Sequence, residues 1–167
     1  MTENGWTRAT AAGLAFRAAT VADLPFLAQV YASTRTEELA MLPWTDAQKA
    51  AFLDMQFTAQ HLDYRKNHPA AAWLVIAHNS EAIGRLYLDR REREHGIIDI
   101  TFLPGHRGQG YGTALLQDLI DEAAAAGKAV SIHVEKHNPA RRLYARLGFR
   151  PVEEHGLYDR FEMRPGR

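Results

Sequence analysis

Four glycines, spaced two or three residues apart, separate a strand pattern from a helix pattern in this chain. In the stretch IDITFLPGHRGQGYGTALLQDLI they are Gly105, Gly108, Gly110 and Gly112. Glycine permits a positive φ and lets a ligand approach the backbone closely. The free N–H groups and the dipole at a helix start attract anions. The segment therefore predicts a phosphate-binding loop.

The glycine spacing separates this loop from two common phosphate-binding motifs. No lysine followed by Ser or Thr closes it, so it is not a P-loop. The dinucleotide fingerprint G-x-G-x-x-G would need a glycine where Thr113 stands, which disfavours an oxidoreductase with a nucleotide cofactor. Taken alone, the loop leaves an ordinary tight strand-to-helix connection open as the alternative.

Composition limits the class of protein. The 167 residues are 46% hydrophobic and 24% charged, which fits one soluble globular domain. Twenty basic residues balance twenty acidic ones, so we expect no nucleic-acid partner. The absence of cysteine excludes disulfides and a cysteine nucleophile. No apolar run approaches the roughly 20 residues that span a bilayer. We expect a cytoplasmic protein with no membrane partner, a flexible tail at 1–13 and a single domain at 14–167.

The order of strand and helix patterns predicts a mixed sheet. It is β-α-α-β-β-β-α-β-α-β-β, and because strands and helices do not alternate strictly, we expect an α/β (α+β) fold rather than a doubly wound parallel sheet. Leu14–Ala18 is the first predicted strand, Thr20 and Thr45 are predicted helix starts, and Asn79-Ser80 is the predicted turn of a hairpin.

Two motifs in this chain resemble the signatures of one protein family. In the glycine loop, Arg107-x-x-Gly110-x-Gly112 resembles the acyl-CoA-binding signature of the GNAT superfamily of N-acetyltransferases. HVEKHNPARRLYARLGF resembles that family's second signature, with matching positions at Asn138, Tyr144, Gly148 and Phe149. The resemblance is sharp over 97–149 and elsewhere rests on element order. It implies the GNAT fold: a central mixed, mostly antiparallel twisted sheet of about seven strands, with helices on both faces and a splay between the fourth and fifth strands.

The resemblance also implies acetyl-CoA (or coenzyme A) as cofactor and a primary amine of a small molecule, peptide or protein as acceptor. It places the pantetheine arm in the splay, the pyrophosphate on main-chain N–H groups, and the charge of Arg107 near the phosphates. The implied cofactor-binding residues are Phe102, Leu103, Arg107, Gly108, Gln109, Gly110, Tyr111, Gly112, Thr113, Asn138 and Tyr144. A solvated Arg107 and an Asn138 that only caps its helix remain alternatives.

Direct attack of an amine on a thioester needs a donor for the oxyanion and a proton for the leaving thiolate. The resemblance implies the backbone N–H of Leu103 as the oxyanion donor. It implies Tyr144 as the general acid, with a hydroxyl near the sulfur. A core tyrosine without a catalytic role is the alternative for Tyr144.

The general base is less defined. Strand alternation puts Ile98, Ile100 and Phe102 on one face and Asp99 with Thr101 on the other. The resemblance implies a Glu, an Asp or a water chain near the strand Ile97–Phe102 as the base. Asp99 is the candidate on this strand, and a surface carboxylate is the alternative. No His, Asp or Glu group has metal-ligand spacing, so we expect no metal.

The resemblance implies that the acceptor site comes from the helical segment after the first strand. The candidate acceptor residues are Glu37, Glu38, Trp44, Gln56, Gln60 and Tyr64. The acidic pair could attract a cationic amine, the tryptophan could form a wall, and the last three recur every four residues on one helix face. The alternative is that these side chains belong to the core or face solvent. A non-catalytic acyl-CoA-binding regulatory module is the alternative function, and a homodimer is allowed.

Overall fold

The computed structural model describes residues 5–165 and shows a seven-stranded sheet with helices on both faces. Its strands are β1 Leu14–Ala18, β2 Ala72–His78, β3 Glu81–Arg90, β4 Glu94–Phe102, β5 Ala129–Glu135, β6 Arg150–His155 and β7 Tyr158–Met163. Its helices are α1 Thr7–Ala11, α2 Leu24–Ser33, α3 Thr36–Ala40, α4 Asp46–Asn67, α5 Tyr111–Ala125 and α6 Arg141–Arg146. The strand order is β1-β2-β3-β4-β5-β7-β6. Only β4 and β5 pair in parallel in the described chain, so the predicted mixed, mostly antiparallel sheet is confirmed.

Local sequence explains where several elements begin and turn. Thr45 and Gln48 form a capping box at the start of α4: Thr45 Oγ1 accepts from the Gln48 N–H at 3.1 Å, and Gln48 Oε1 accepts from the Thr45 N–H at 2.9 Å. Asn79 and Ser80 take left-handed φ values of 51° and 68°, which suit the tight turn between β2 and β3. The helix start after Thr45 and the turn at Asn79-Ser80 were predicted from the sequence, whereas the capping box itself is seen only in the structure.

The sheet separates two hydrophobic cores. Strand alternation sends Leu74 and Ile76 of β2 into the core beneath α1 and α5. It sends Trp73 and Val75 into the opposite core, which α2 and α4 cover. A ligand that crosses the sheet must therefore use an opening between two strands.

That opening lies between β4 and β5. The parallel pairing runs from Glu94 with Ala129 to Ile97 with Ile132 and then ends. Both strands continue, β4 to Phe102 and β5 to Glu135, without pairing to each other. The splay between the fourth and fifth strands is thus present where the sequence predicted it.

A β-bulge changes which residues of β4 share a face. Tyr87 pairs with Asp99 and Leu88 with Ile97, which leaves Ile98 as the extra residue. Ile98 consequently packs against the core beneath α2 and α4, whereas Ile100 packs against the other core. The prediction that Ile98 and Ile100 share a face was therefore wrong, because the bulge interrupts the alternation of the strand.

The segment before β1 is docked rather than loose. Trp6 is 1% exposed, and its indole Nε1 donates to Glu122 Oε1 at 3.1 Å. The N–H of Ala9 in α1 donates to Asp118 Oδ2 at 2.8 Å. The prediction of a flexible tail was wrong for residues 5–13, because a buried tryptophan and a capping carboxylate hold α1 against α5. The first four residues of the predicted tail lie outside the described part of the chain. No helix within residues 5–165 is long and apolar enough to cross a membrane.

Candidate active site

The gap between β4 and β5 opens into a polar cavity of about 150 Å³. The walls come from the diverging ends of β4 and β5, from α2 and α4 on one face of the sheet, and from the segment that leads into α6. Residues from both cores meet here, since Tyr31 and Tyr64 line the cavity from one side and Tyr144 from the other. The cavity therefore connects the two faces of the sheet.

The glycine loop forms the start of α5. Gly108 and Gly110 have left-handed φ values of 73° and 83°, and Gly110 is the N-cap of the helix. The first helical hydrogen bond joins the Ala114 N–H to the Gly110 carbonyl at 3.0 Å. The N–H groups of residues 111–113 precede this ladder, as at any helix start, and are available to an anion. Gly112 differs, because its φ is not positive and an added Cβ would lie 3.8 Å from the Phe102 ring.

The side chains around the loop hold it against the sheet. Arg107 Nε donates to the carbonyl of Phe102 at 2.8 Å, and Arg107 Nη2 donates to Ser33 Oγ at 3.4 Å. Gln109 Nε2 donates to the Gly105 carbonyl at 3.2 Å. The guanidinium of Arg107 thus connects the loop to the end of β4 and to α2. Its predicted role near phosphates stays a prediction.

The direction of the β4 backbone corrects one predicted role. The N–H of Leu103 donates to the Ile83 carbonyl at 2.8 Å, so this group is already used by β3. In an antiparallel pair the N–H and C=O of each residue point to the same side, and successive residues alternate. The backbone groups of Ile100 and Phe102 therefore point toward the gap. An oxyanion donor on β4 would be one of these two residues, and not Leu103.

Tyr144 lies at the α6 side of the gap. It is 6% exposed, and its ring packs edge-on against Phe149 and Phe161. Burial raises the pKa of its hydroxyl, and the negative charge of Asp99 raises it further. The hydroxyl therefore keeps its proton at neutral pH and is a donor. Tyr144 is thus a core residue that also lines the cavity, and its role as general acid stays a prediction.

Asn138 precedes α6 and also lines the cavity. Its Oδ1 accepts from the Ala140 N–H at 2.9 Å, and its carbonyl accepts from the Arg141 N–H at 3.1 Å. The side chain thus stabilises the turn before the helix, and the N-cap of α6 is Ala140 rather than Asn138 as predicted. This turn is compatible with a place of Asn138 in the cavity wall.

Asp99 lies on the face of the sheet that α4 covers, with a side chain 13% exposed. Its Oδ1 accepts from Thr101 Oγ1 at 2.6 Å, and its Oδ2 accepts from Arg85 Nη2 at 2.5 Å. Arg85 Nη2 also donates to Gln60 Oε1 at 3.1 Å. The carboxylate therefore lies in the cavity wall, where hydrogen bonds fix its position, and it is not a surface group.

Arg85 was not among the residues that the sequence predicted for the site. Burial lowers the pKa of its guanidinium, but the charge of Asp99 and the hydrogen bond to it outweigh burial and raise the pKa overall. Arg85 therefore stays charged in the wall of the cavity. A lone arginine in the apolar strand stretch AIGRLYL was the signal that could have identified it.

A second ion pair lies at the cavity, between Arg35 and Glu135. The Arg35 Nη2 to Glu135 Oε1 distance is 3.0 Å, and Arg35 Nη1 also donates to Glu38 Oε1 at 3.0 Å. The guanidinium stacks over the Tyr31 ring, 5.6 Å from its centroid. This pair connects the segment between α2 and α3 to the end of β5.

The predicted acceptor residues divide into two groups. Gln60 and Tyr64 line the cavity, and Gln56 lies one helical turn away, where it accepts from the Tyr31 hydroxyl at 2.9 Å. The helical period places these residues on the face of α4 that covers the sheet. The other three candidates, Glu37, Glu38 and Trp44, are outside the set of described residues that line the cavity.

The positions of these three follow from α3 and the loop after it. Glu37 is exposed, Glu38 bonds to Arg35, and Trp44 packs edge-on against Phe52 with centroids 5.2 Å apart. The short helix α3 therefore contributes to the site through the ion pairs of Arg35. Among the described residues, no group of three or more His, Asp or Glu side chains could hold a metal ion.

Solved structures with the same fold include N-acetyltransferases. The N-acetyltransferase PaiA of Thermoplasma acidophilum, solved with coenzyme A, superposes with a TM-score of 0.68 at 15% identity, over 90% of this chain and 98% of its own. YncA of Salmonella typhimurium, solved with its cofactor acetyl-CoA, has a TM-score of 0.55 at 23% identity, over 92% and 95% of the two chains. At these identities the likeness establishes the fold.

Sequence comparison identifies the family. Residues 33–149 match the model of the acetyltransferase (GNAT) family. The chain belongs to this family of acyltransferases, and the resemblance predicted from two motifs is confirmed.

Two curated relatives match shorter stretches. An uncharacterised N-acetyltransferase of Mycobacterium tuberculosis is 29% identical over 105 residues, which are 60% of this chain and 67% of the relative. The [ribosomal protein bS18]-alanine N-acetyltransferase of Haemophilus influenzae is 31% identical over 81 residues, which are 48% of this chain and 56% of that protein.

Proposed function

We propose that this chain transfers an acetyl group from acetyl-CoA to a primary amine of a small molecule, peptide or protein, by direct attack in a ternary complex. One observation carries the proposal. The gap between β4 and β5 joins the face that bears the anion-binding start of α5 to a polar cavity with carboxylates on the other face. Such an opening lets a donor and an acceptor meet from opposite faces of the sheet.

The residues around the gap fit acetyl-CoA. Gly108 and Gly110 have the left-handed conformation that brings a backbone close to a ligand, and the N–H groups of residues 111–113 suit a pyrophosphate. The gap-facing backbone of Ile100 and Phe102 can pair with an extended amide chain as a neighbouring strand would. When bound, acetyl-CoA supplies a thioester as the acetyl donor.

Three groups of this chain then carry the chemistry. The carboxylate of Asp99 accepts a proton from the acceptor amine, whose nitrogen becomes acidic as it attacks. The gap-facing N–H groups of Ile100 and Phe102 would donate to the thioester oxygen as negative charge develops on it. The hydroxyl of Tyr144 keeps its proton, because burial raises its pKa, and donates this proton to the leaving sulfur.

The Haemophilus relative supports a protein or peptide amine among these acceptors. According to its name, that protein acetylates an alanine of ribosomal protein bS18. The matched stretch is less than half of this chain, so the likeness supports the acceptor class and not that particular substrate.

A second candidate function is a module that binds acyl-CoA without turnover. It is favoured by the state of Asp99, whose two oxygens already accept hydrogen bonds from Thr101 and Arg85. A carboxylate held in this way is a weaker proton acceptor than a free one.

One experiment separates these functions. We expect calorimetric titration to show one acetyl-CoA bound per chain, and a thiol reagent to detect coenzyme A release with a panel of amines. Binding without release for any amine would favour the regulatory module. No heat and no shift in melting temperature at millimolar acetyl-CoA would contradict both.

A further inference from the structure

Each carboxylate that lines the cavity is paired with an arginine. Within residues 5–165 these carboxylates are Asp99, 2.5 Å from Arg85, and Glu135, 3.0 Å from Arg35. The first pair is almost fully buried, whereas Glu135 is 39% exposed. Two negative and two positive charges therefore balance around the gap.

Additional contacts hold both arginines in these pairs. Arg85 also donates to Gln60, and its guanidinium lies 5.0 Å from the Tyr87 ring centroid. Arg35 also donates to Glu38 and stacks over Tyr31. Neither arginine can leave its carboxylate without losing these contacts. The cavity wall thus contains two carboxylates whose charges are compensated by fixed arginines.

The histidine of the cavity adds no positive charge at neutral pH. Burial lowers the pKa of His133, and the nearby positive charges of His155, Arg160 and Arg91 lower it further, against a smaller opposite effect of Glu153. The imidazole is therefore neutral. Among the described residues that line the acceptor side of the gap, the charges sum to zero and each carboxylate is paired with a cation.

This balance affects how the cavity treats an amine. A free carboxylate would attract the ammonium form of the amine and could also accept its proton. A carboxylate that an arginine already holds does both more weakly. An ε-amine has a pKa of about 10.4 and an α-amine about 7.7–8.0, so at pH 7.4 the neutral fraction of an α-amine is about 200-fold larger.

We infer that the acceptor is an α-amine, at the N-terminus of a peptide or an amino-acid derivative, and that the ion pairs of Arg85 and Arg35 select it over alkyl ε-amines. The inference rests on the proposed acetyl transfer and names the acceptor class of the same site. The ion pairs select the α-amine because an arginine-bound carboxylate is too weak a base to remove the proton of an ε-ammonium group.

Two tripeptide amides test the inference. Ala-(Nε-acetyl-Lys)-Ala amide offers only an α-amine, and Nα-acetyl-Ala-Lys-Ala amide offers only an ε-amine. At pH 7.4 we expect kcat/KM to favour the α-amine about 100-fold or more, and the preference to shrink as the pH approaches 9.5. Preference for the ε-amine, or turnover of neither peptide while acetyl-CoA binds, overturns the inference. Failure to bind acetyl-CoA overturns the proposed function with it.

Variants test the role of the arginines. Arg85→Gln and Arg35→Gln each release one carboxylate, and we expect the preference for the α-amine to fall about tenfold as ε-amine turnover improves. If Arg85→Gln does not fold, Arg35→Gln carries the same test, because Glu135 is partly exposed. The matched control is Arg17→Gln, which removes the 2.8 Å pair with Asp23 outside the cavity and should leave the preference unchanged. An unchanged preference in both folded cavity variants overturns the selection mechanism.

Discussion

The backbone N–H of Leu103 donates to the carbonyl oxygen of Ile83 at 2.8 Å, and this bond fixes the direction of the amides at the end of β4. Since the direction alternates along a strand, the groups of Ile100 and Phe102 face the gap while those of Thr101 face β3. Strand register therefore determines which backbone N–H groups face the gap, and the identity of the side chains has little influence on this.

Replacement of single backbone amides by esters tests this arrangement. An ester at Ile100 or Phe102 removes an N–H that faces the gap, and at the position that stabilises the oxyanion we expect kcat to fall about 10²–10³-fold. An ester at Thr101 removes a bond to β3 instead, so it should lower stability and leave kcat near wild type. Equal kcat in all three variants would exclude the β4 backbone from catalysis.

Gly110 should be indispensable for cofactor binding. Any other residue there must adopt a left-handed φ, which costs about 1–2 kcal/mol, and Gly110→Asp also brings negative charge toward the pyrophosphate. We expect Gly110→Asp to nearly abolish acetyl-CoA binding in calorimetry, while circular dichroism shows an intact fold. Gly112→Ala is the control and should bind normally, because its Cβ only touches the Phe102 ring. Normal binding by Gly110→Asp would mean that the phosphates lie elsewhere.

Tyr144→Phe should separate catalysis from packing. The change removes one proton donor, and we expect kcat to fall about 10²–10⁴-fold with little change in the dissociation constant of acetyl-CoA. The hydroxyl forms no hydrogen bond with any described residue, so the melting temperature should stay close to that of the wild type. An acyl donor with a more acidic thiol should reduce the loss. Wild-type kcat in this variant would remove Tyr144 from the mechanism.

Glu122 should make stability depend on pH. Burial raises the pKa of its carboxyl, but hydrogen bonds from His95 and Arg90 and their charges outweigh burial and lower it from 4.5 to about 2. A depressed folded-state pKa contributes stability above the unfolded value, and this contribution is lost as the pH falls from 4.5 through about 2.

Glu122→Gln should therefore lower the free energy of unfolding by about 2 kcal/mol at pH 7. Urea titrations at pH 7, 4 and 3 should show the difference from wild type shrinking with acidity. A pH-independent difference would mean that the bond to Trp6 dominates the effect of the substitution.

The parts of the fold that depend on neighbouring residues followed from the sequence alone. The start of α4 after Thr45, the turn at Asn79-Ser80 and the glycine loop before α5 each need particular residue types at fixed short spacing. Element order and the two signature motifs then sufficed for the mixed sheet, its splay and the family. Helical periodicity predicted that Gln60 and Tyr64 share a face of α4, and the resemblance to the family implied that this segment borders the acceptor site.

Contacts between distant segments were decided only by the tertiary structure. The bulge at Ile98 depends on the register of β4 against β3, and it changes which side chains share a face with Asp99. Arg85 joins the site because that register places it beside Asp99, 14 residues later. Trp6 packs in the core of a distant part of the chain, where its N–H donates to Glu122, 116 residues away. Register and long-range pairing depend on how whole elements pack, so a local pattern of residues does not encode them.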